Sequence, residues 1–245
     1  MTRTAIIAAF PGELRPLVLR WQHEQHNGID LWRWPHQTPN DEEGEWVAAC
    51  AGAGQTAAMR AFAAAELCGP IDTVISAGWA GALHKVMEPG LAYSVAGVID
   101  ARTGEMAPAA DWRDDVWLVT SPIVAGEQEK RRLAAAYSAS LVDMEAAAVA
   151  RLALMRNIPF YCVKGVSDAL DDHLPDFNRF IGPDGRLDLA RFTLFALLRP
   201  RYWHSLMRMG ENSKMAAERI ATALLSILDK EGTIRLRNGY PDRKR

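Results

Sequence analysis

Leu141–Asp172, LVDMEAAAVARLALMRNIPFYCVKGVSDALDD, is the stretch from which the rest of the chain can be read. Asp143 and Glu145 stand at the start of a helical pattern over Asp143–Met155, in which Val149, Leu152, Ala153 and Met155 recur at helical spacing. The pattern stops at Asn157, Ile158 and Pro159, because proline disfavours the helical region in its predecessor. Phe160–Val166 follows, apolar and partly β-branched, the signature of a buried strand. It runs into Ser167 and Asp168. Carboxylates therefore fall at a helix start and at the carboxyl end of a strand, and strand carboxyl ends are where open α/β sheets bind ligands.

Working outward, Thr4–Phe10 reads as a buried strand closed by Pro11-Gly12, and Glu13 as the start of a helix in which Pro16 is tolerated in the first turn. Residues 22–28 are polar and loop-like, and Ile29–Trp34 and Glu45–Ala51 read as a hairpin on the sheet's edge. Ala51-Gly52-Ala53-Gly54 leads into an alanine-rich helix, Gln55–Cys68. Such a strand–Gly-x-Gly–helix junction lets backbone N–H groups approach an anion, or simply lets strand and helix pack tightly. Ala57 stands where a dinucleotide fingerprint has its third glycine, so NAD is poorly supported. Ile71–Ala77, Gly90–Asp100 and Val116–Val124 are further strands, and Gln128–Tyr137 and Leu189–Leu198 further helices. The helical pattern then breaks near Gly210, and a last helix spans Ser213–Asp229 with Ser213 as its cap. Alternating strands and helices imply a single α/β domain over residues 1–231, with a mixed central β-sheet flanked by helices on both faces.

Composition narrows the function classes. The 245 residues, 49% hydrophobic and 24% charged, suffice for a full core. A net charge of −2 gives no basic field for nucleic acid, although residues 232–245 form a short basic tail. No apolar run approaches the roughly 18–20 residues that span a bilayer, and the N-terminus is too short for a signal sequence. Cys50, Cys68 and Cys162 lack CxxC spacing, which fits buried reduced thiols and a cytoplasmic protein. The six histidines fall in no metal-ligand pattern, and neither a metal nor a cofactor is expected. What remains is a set of carboxylates at element ends: Glu13, Glu145 and Asp168. Each has a plain reading as a helix-terminal charge or turn cap. Three such junctions of one sheet can also share one edge.

Four segments together resemble the nucleoside phosphorylase superfamily, and most closely its nucleosidases for methylthioadenosine and adenosylhomocysteine. They are AIIAAFPGEL, CAGAGQTAA, VISAGWAGAL, and the pair VDMEAAAVA with IPFYCVKGVSDALDD. The last pair is the specific part: Met-Glu, then Ser-Asp about twenty residues later after an apolar strand. The resemblance implies that Asp168 protonates N7 of the departing purine and that Glu13 activates the attacking water. It implies that Glu145, with Met144 beside it, binds the ribose hydroxyls. Ser167 and the backbone of Phe160, Tyr161 and Cys162 would help place the base, with Gly78 and Trp79 also at the substrate. It also implies a homodimer.

Those residue types suit the chemistry. Cleaving an N-ribosidic bond builds positive charge on the sugar and pushes electrons into the purine. A carboxylate near the sugar answers the first problem and an acid at N7 the second. Asp168 would then need a raised pKa, which Lys164 opposes if it lies close; the family usually has arginine there. Phosphate as nucleophile would need cationic or N–H-rich groups, for which Arg15 and Gly52–Gly54 are the candidates. Trp79, where the family commonly has serine, and the negative Glu13 favour water. The segment LPDFNRFIGPDGRLDL…LLRPRYW resembles the hopanoid-associated members, which act on adenosylhopane. Residues 173–210 are accordingly a candidate lid or channel for the ribose 5′ substituent, or extra core. A nucleoside-binding module without turnover is the non-enzyme reading.

Overall fold

β5 (Thr73–Ala82) is the strand on which the others are assembled. It pairs in parallel with β1 (Thr2–Ala8) on one side and with β11 (Phe160–Asp168) on the other, and its last residues pair antiparallel with β10 (Leu141–Asp143). From β1 the sheet continues through β4 (Glu43–Cys50) and β3 (Ile29–Gln37) to β2 (Gln22–His26). From β10 it continues through β9 (Trp117–Thr120) and β7 (Gly97–Asp100) to β8 (Met106–Pro108), while β6 (Ala92–Ser94) pairs with β11. The computed structural model describes residues 2–37, 43–110 and 115–230, and within them this is one mixed, eleven-stranded sheet. The basic tail at 232–245 lies outside the described residues.

Helices cover both faces, as the alternating sequence pattern implies. α2 (Gln55–Glu66) and α4 (Ala146–Arg156) lie together on one face, over a core that includes Ile7, Val47, Phe62, Val74 and Phe160. Their alanines explain the fit. Ala57, Ala58, Ala61 and Ala65 of α2 and Ala147, Ala150 and Ala153 of α4 are buried, so the helix axes can approach the sheet and each other closely. On the other face α1 (Pro11–Val18) and α6 (Trp203–Lys230) enclose Ile6, Leu14, Ile75, Val163, Ile220 and Leu224. α3 (Glu127–Tyr137) covers a third cluster with Leu133, Val119 and Ile99. α5 (Leu189–Leu197) contributes no buried residue. Among the described residues no helix is long and apolar enough to cross a membrane.

Four local expectations are corrected. Residues 22–28 are not a loop: Gln22–His26 is an edge strand whose side chains are all exposed, so their polarity costs nothing. Gly90–Asp100 is two strands, because the chain leaves β11 at Ser94 and joins β9 at Gly97. The expected helix from Asp143 begins at Ala146, and Leu141–Asp143 is a short strand between β5 and β9. The last helix does not break at Gly210. It runs from Trp203, with Ser213 buried inside it rather than capping it, because the long apolar stripe of Ala216, Ala217, Ile220, Leu224 and Leu228 outweighs one helical glycine, which costs about 1 kcal/mol.

The contact of α6 with β11 holds the site's floor in place. A Cβ built on Gly165 would lie 2.8 Å from the Cβ of Ala216 and 2.9 Å from Cδ1 of Ile220, so the strand and helix meet there with no room to spare. Gly165→Ala should therefore destabilise the protein by about 1–3 kcal/mol through overpacking. Chemical denaturation measures this, and an unchanged midpoint would contradict the packing described.

Candidate active site

Glu13, Glu145 and Asp168 line one cavity of about 1260 Å³. They come from the start of α1, the start of α4 and the end of β11, so the three junctions do share one edge of the sheet.

Glu13 is held by backbone alone. Its Oε2 accepts from the N–H groups of Ala9 (2.8 Å) and Phe10 (2.9 Å), and its Oε1 from the N–H of Trp79 (2.9 Å). The bond from Phe10, the N-cap residue, means that Glu13 caps the start of its own helix as well as facing the cavity. Gly78 makes the approach possible: a Cβ there would sit 2.9 Å from the Glu13 carboxyl, and its φ of +135° favours glycine. Burial raises the Glu13 pKa despite these three N–H donors and the nearby Lys164.

Glu145 sits beside a buried ion pair. Lys164 Nζ lies 2.9 Å from Asp143 Oδ2, with 1% and 0% of the two side chains exposed. Asp143 also accepts from the hydroxyl of Thr120 (2.7 Å) and the N–H of Ala146 (2.9 Å), so both its oxygens are engaged. Glu145, the N-terminal cap residue of α4, accepts from the N–H of Gly54 (2.6 Å) and of Met144 (3.2 Å). Burial, and then the charge of Asp143, push its pKa up to about 8, against the pull of Lys164. Lys164 itself is held above its ordinary value by Asp143, although burial opposes this.

Asp168 follows a bulge in β11 between Val166 and Asp168 and lies opposite Gly81. The hydroxyl of Ser167 donates to its Oδ1 at 2.6 Å, and Lys130 of α3 donates to its Oδ2 and to the carbonyl of Ala169 (2.6 Å). The cation at Asp168 is thus Lys130, while Lys164, the one anticipated from sequence, is committed to Asp143. Lys130 is the side chain at Asp168 that sequence reading missed. Its signal was its place three residues before Leu133, on the face of α3 that is buried.

The remaining candidates divide. Met144, Ser167, Trp79 and Gly52 line the cavity. Gly78 and Gly54 stand behind it, the first against Glu13 and the second donating to Glu145. Trp79 gives its indole N–H to the carbonyl of Ser213 in α6 (2.9 Å), which ties β5 to that helix and leaves no indole donor for a ligand. Phe160 and Cys162 are buried in the core, with their carbonyls accepting from Ala110 and Val95, and Tyr161 packs on the opposite face; none lines the cavity. Burial pushes the Cys162 thiol up to about 12, an inert group. Arg15 is exposed on α1, away from the cavity. The three N–H groups of Gly52–Gly54 are occupied by Ala9, Gly185 and Glu145, so this turn is no open anion cradle. No group of three or more histidine, cysteine or carboxylate side chains among the described residues is arranged to hold a metal.

The segment after Asp172 closes one side. Leu174, Phe177, Ile181, Leu187 and Leu189 line the cavity. From Phe177 a chain of ring contacts, stacked and edge-on, runs through Phe192, Phe180 and Phe195 to Tyr202, with centroids 5.0–6.0 Å apart. Asn178 pins the segment through both backbone groups of Val124, and the carbonyl of Gly185 through the N–H of Ala53. The segment is therefore cavity wall and aromatic cluster at once.

Residues 116–198 match the model of the phosphorylase superfamily, which bears out the resemblance to that superfamily over the stretch that holds Glu145 and Asp168. Among solved structures, the fold is similar to the 5′-methylthioadenosine/S-adenosylhomocysteine nucleosidase of Helicobacter pylori in complex with butyl-thio-DADMe-Immucillin-A (14% identity, TM-score 0.68, 94% of this chain and 99% of that one). It is similar also to the futalosine hydrolase of Helicobacter pylori (13%, TM-score 0.68, 94% and 98%) and to the 5′-methylthioadenosine nucleosidase of Arabidopsis thaliana (18%, TM-score 0.70, 97% and 98%). No curated protein matches the chain in sequence. Likenesses at these identities establish the fold.

The Glu145 environment has a measurable consequence. Its pKa rises from 4.5 unfolded to about 8 folded, so between those values the folded protein holds a proton that the unfolded chain has released. Its contribution to stability is therefore present below pH 4.5 and declines as pH rises toward 8. Glu145→Gln cannot ionise. Its melting temperature relative to the parent should climb between pH 5 and pH 8. A difference that stays constant across that range would contradict the assignment.

Proposed function

We propose that this protein is a nucleosidase that hydrolyses the N-ribosidic bond of a 5′-substituted adenine nucleoside, releasing adenine. One observation carries the reading: Glu13, Glu145 and Asp168, from three distant parts of the chain, line a single cavity beside buried cations. A scaffold that only packed a sheet would have no need to bring three carboxylates together, where burial and mutual repulsion work against folding.

In this reading the purine lies at Asp168 and the ribose at Glu145. As the glycosidic bond lengthens, negative charge builds on the base. The Lys130–Asp168 pair carries the proton that N7 takes up, and Ser167 keeps the carboxyl oriented. Glu145, whose carboxyl keeps its proton up to about pH 8, hydrogen-bonds the ribose hydroxyls, and positive charge on the sugar is met by Glu13. Glu13, fixed by three backbone N–H groups, orients water and accepts its proton. Water is favoured over phosphate because Gly52–Gly54 has no free N–H group, and Arg15 lies outside the cavity.

The apolar wall of Leu174, Phe177, Ile181, Leu187 and Leu189 favours a second, narrower reading of the 5′ group. A methylthio or homocysteinyl substituent leaves much of a 1260 Å³ cavity unfilled, whereas a long hydrocarbon, as in adenosylhopane, suits both its size and its lining. In this reading residues 173–210 serve as the substrate channel.

Purified protein should release adenine from methylthioadenosine in phosphate-free buffer, with free methylthioribose as the second product. Release that depends on phosphate and yields a sugar 1-phosphate would reverse the choice of nucleophile. No release from any 5′-substituted adenosine would remove the enzyme reading. Asp168→Asn should slow release at least ~10²-fold, because an amide cannot give up the proton. Near-normal turnover would reject Asp168 as the acid.

A further inference from the structure

From Leu189 through Glu211 no side chain is buried. The stretch includes all of α5, the turn Pro200–Tyr202 and the opening turns of α6, whose buried stripe begins only at Asn212. It is nonetheless strongly apolar. Leu194 (60% exposed), Leu197 (63%) and Leu198 (72%) share one face of α5 at helical spacing, and Trp203 (46%) and Met207 (63%) share one face of α6. Phe192 and Phe195 turn the other way, into the aromatic cluster, so the leucine face is what α5 leaves unpartnered.

Charge decides what fits this face. Between Asp188 and Glu211 the chain carries Arg191, Arg199, Arg201 and Arg208 and no carboxylate. Arg208 is committed to Asp172, whereas Arg199 and Arg201 lie over the rings of Phe195 and Tyr202, 4.2 and 4.6 Å from their centroids, at the margin of the apolar patch. A second copy docked through the same face would set arginine against arginine with no carboxylate to neutralise them. An anionic lipid surface meets both features, with phosphates for the guanidinium groups and hydrocarbon for the leucines. α5 has nine residues, too few to span a bilayer and suited to lying in its interface. Tryptophan is enriched at that depth, which suits Trp203.

We propose that α5 and the turn after it rest on the surface of an anionic phospholipid bilayer. Leu194, Leu197, Leu198 and Trp203 enter the headgroup–acyl boundary, and Arg199 and Arg201 engage lipid phosphates. Leu189, at the foot of α5, also lines the catalytic cavity, so docking sets the cavity's apolar side beside the membrane. The inference stands on this surface and holds whichever nucleoside is cleaved.

Co-sedimentation of the full chain with vesicles tests it, using phosphatidylcholine alone or mixed with phosphatidylglycerol. Binding is expected to the mixed vesicles, and to fall when salt is raised. Leu194→Asp with Leu197→Asp, and separately Arg199→Glu with Arg201→Glu, should each weaken it at least about tenfold. Circular dichroism of each double variant should match the parent, since the altered side chains are exposed. Absence of binding to mixed vesicles would overturn the proposal. So would undiminished binding by the leucine variant, which would assign attachment to the basic residues after Gly232. A dimer that the leucine variant dissociates, without vesicle binding by the parent, would make the partner a second copy and overturn it equally.

Discussion

An ammonium group buried in a protein core must meet a carboxylate there or lose its charge, and Lys164 meets Asp143 with both side chains essentially out of solvent. That pairing constrains everything near it. It joins β11 to the end of β10, and Asp143 in turn holds the hydroxyl of Thr120 in β9 and the first N–H group of α4, that of Ala146. The start of α4 then projects Glu145 toward the Gly52–Gly54 turn, and β5 brings Trp79 and Gly78 up to Glu13. Removing one partner of such a pair leaves an uncompensated buried charge, which is far costlier than never having built the pair.

Two electrostatic systems result, and they are separate. On one side Lys164 serves Asp143 and lowers the cost of burying Glu145 and Glu13. On the other, Lys130 and Ser167 hold Asp168. Separation of this kind lets neighbouring carboxyl groups occupy different protonation states, which is what acid–base chemistry at one bond requires. It also explains why a lysine in β11 leaves Asp168 free of direct pairing with it.

Much of the architecture was legible because local signals agreed with one another. Pro159 after a helical pattern, the apolar run from Phe160 and the glycines at Gly52 and Gly54 each mark a real boundary. Glu13, Glu145 and Asp168 were legible as element-end carboxylates. What escaped was set by tertiary contact. Lys130 lies in a helix of ordinary charged sequence, and only the arrival of α3 over Gly81 turns it into a partner for Asp168. Gln22–His26 is polar on both faces, and it becomes a strand only because β3 offers it an edge. Phe160–Cys162 looked near enough to the motif to touch a ligand, yet a strand of nine residues puts its start far from its functional end.

The account rests on the division of one cavity into a base end at Asp168 and a sugar end at Glu145. A crystal structure with a non-hydrolysable methylthioadenosine analogue tests that division most directly. The account predicts the purine N7 position within hydrogen-bond distance of the Asp168 carboxyl, the ribose hydroxyls at Glu145, and the 5′ group directed toward Phe177 and Leu189. An analogue bound with its base turned away from Asp168, or seated outside this cavity, would contradict it.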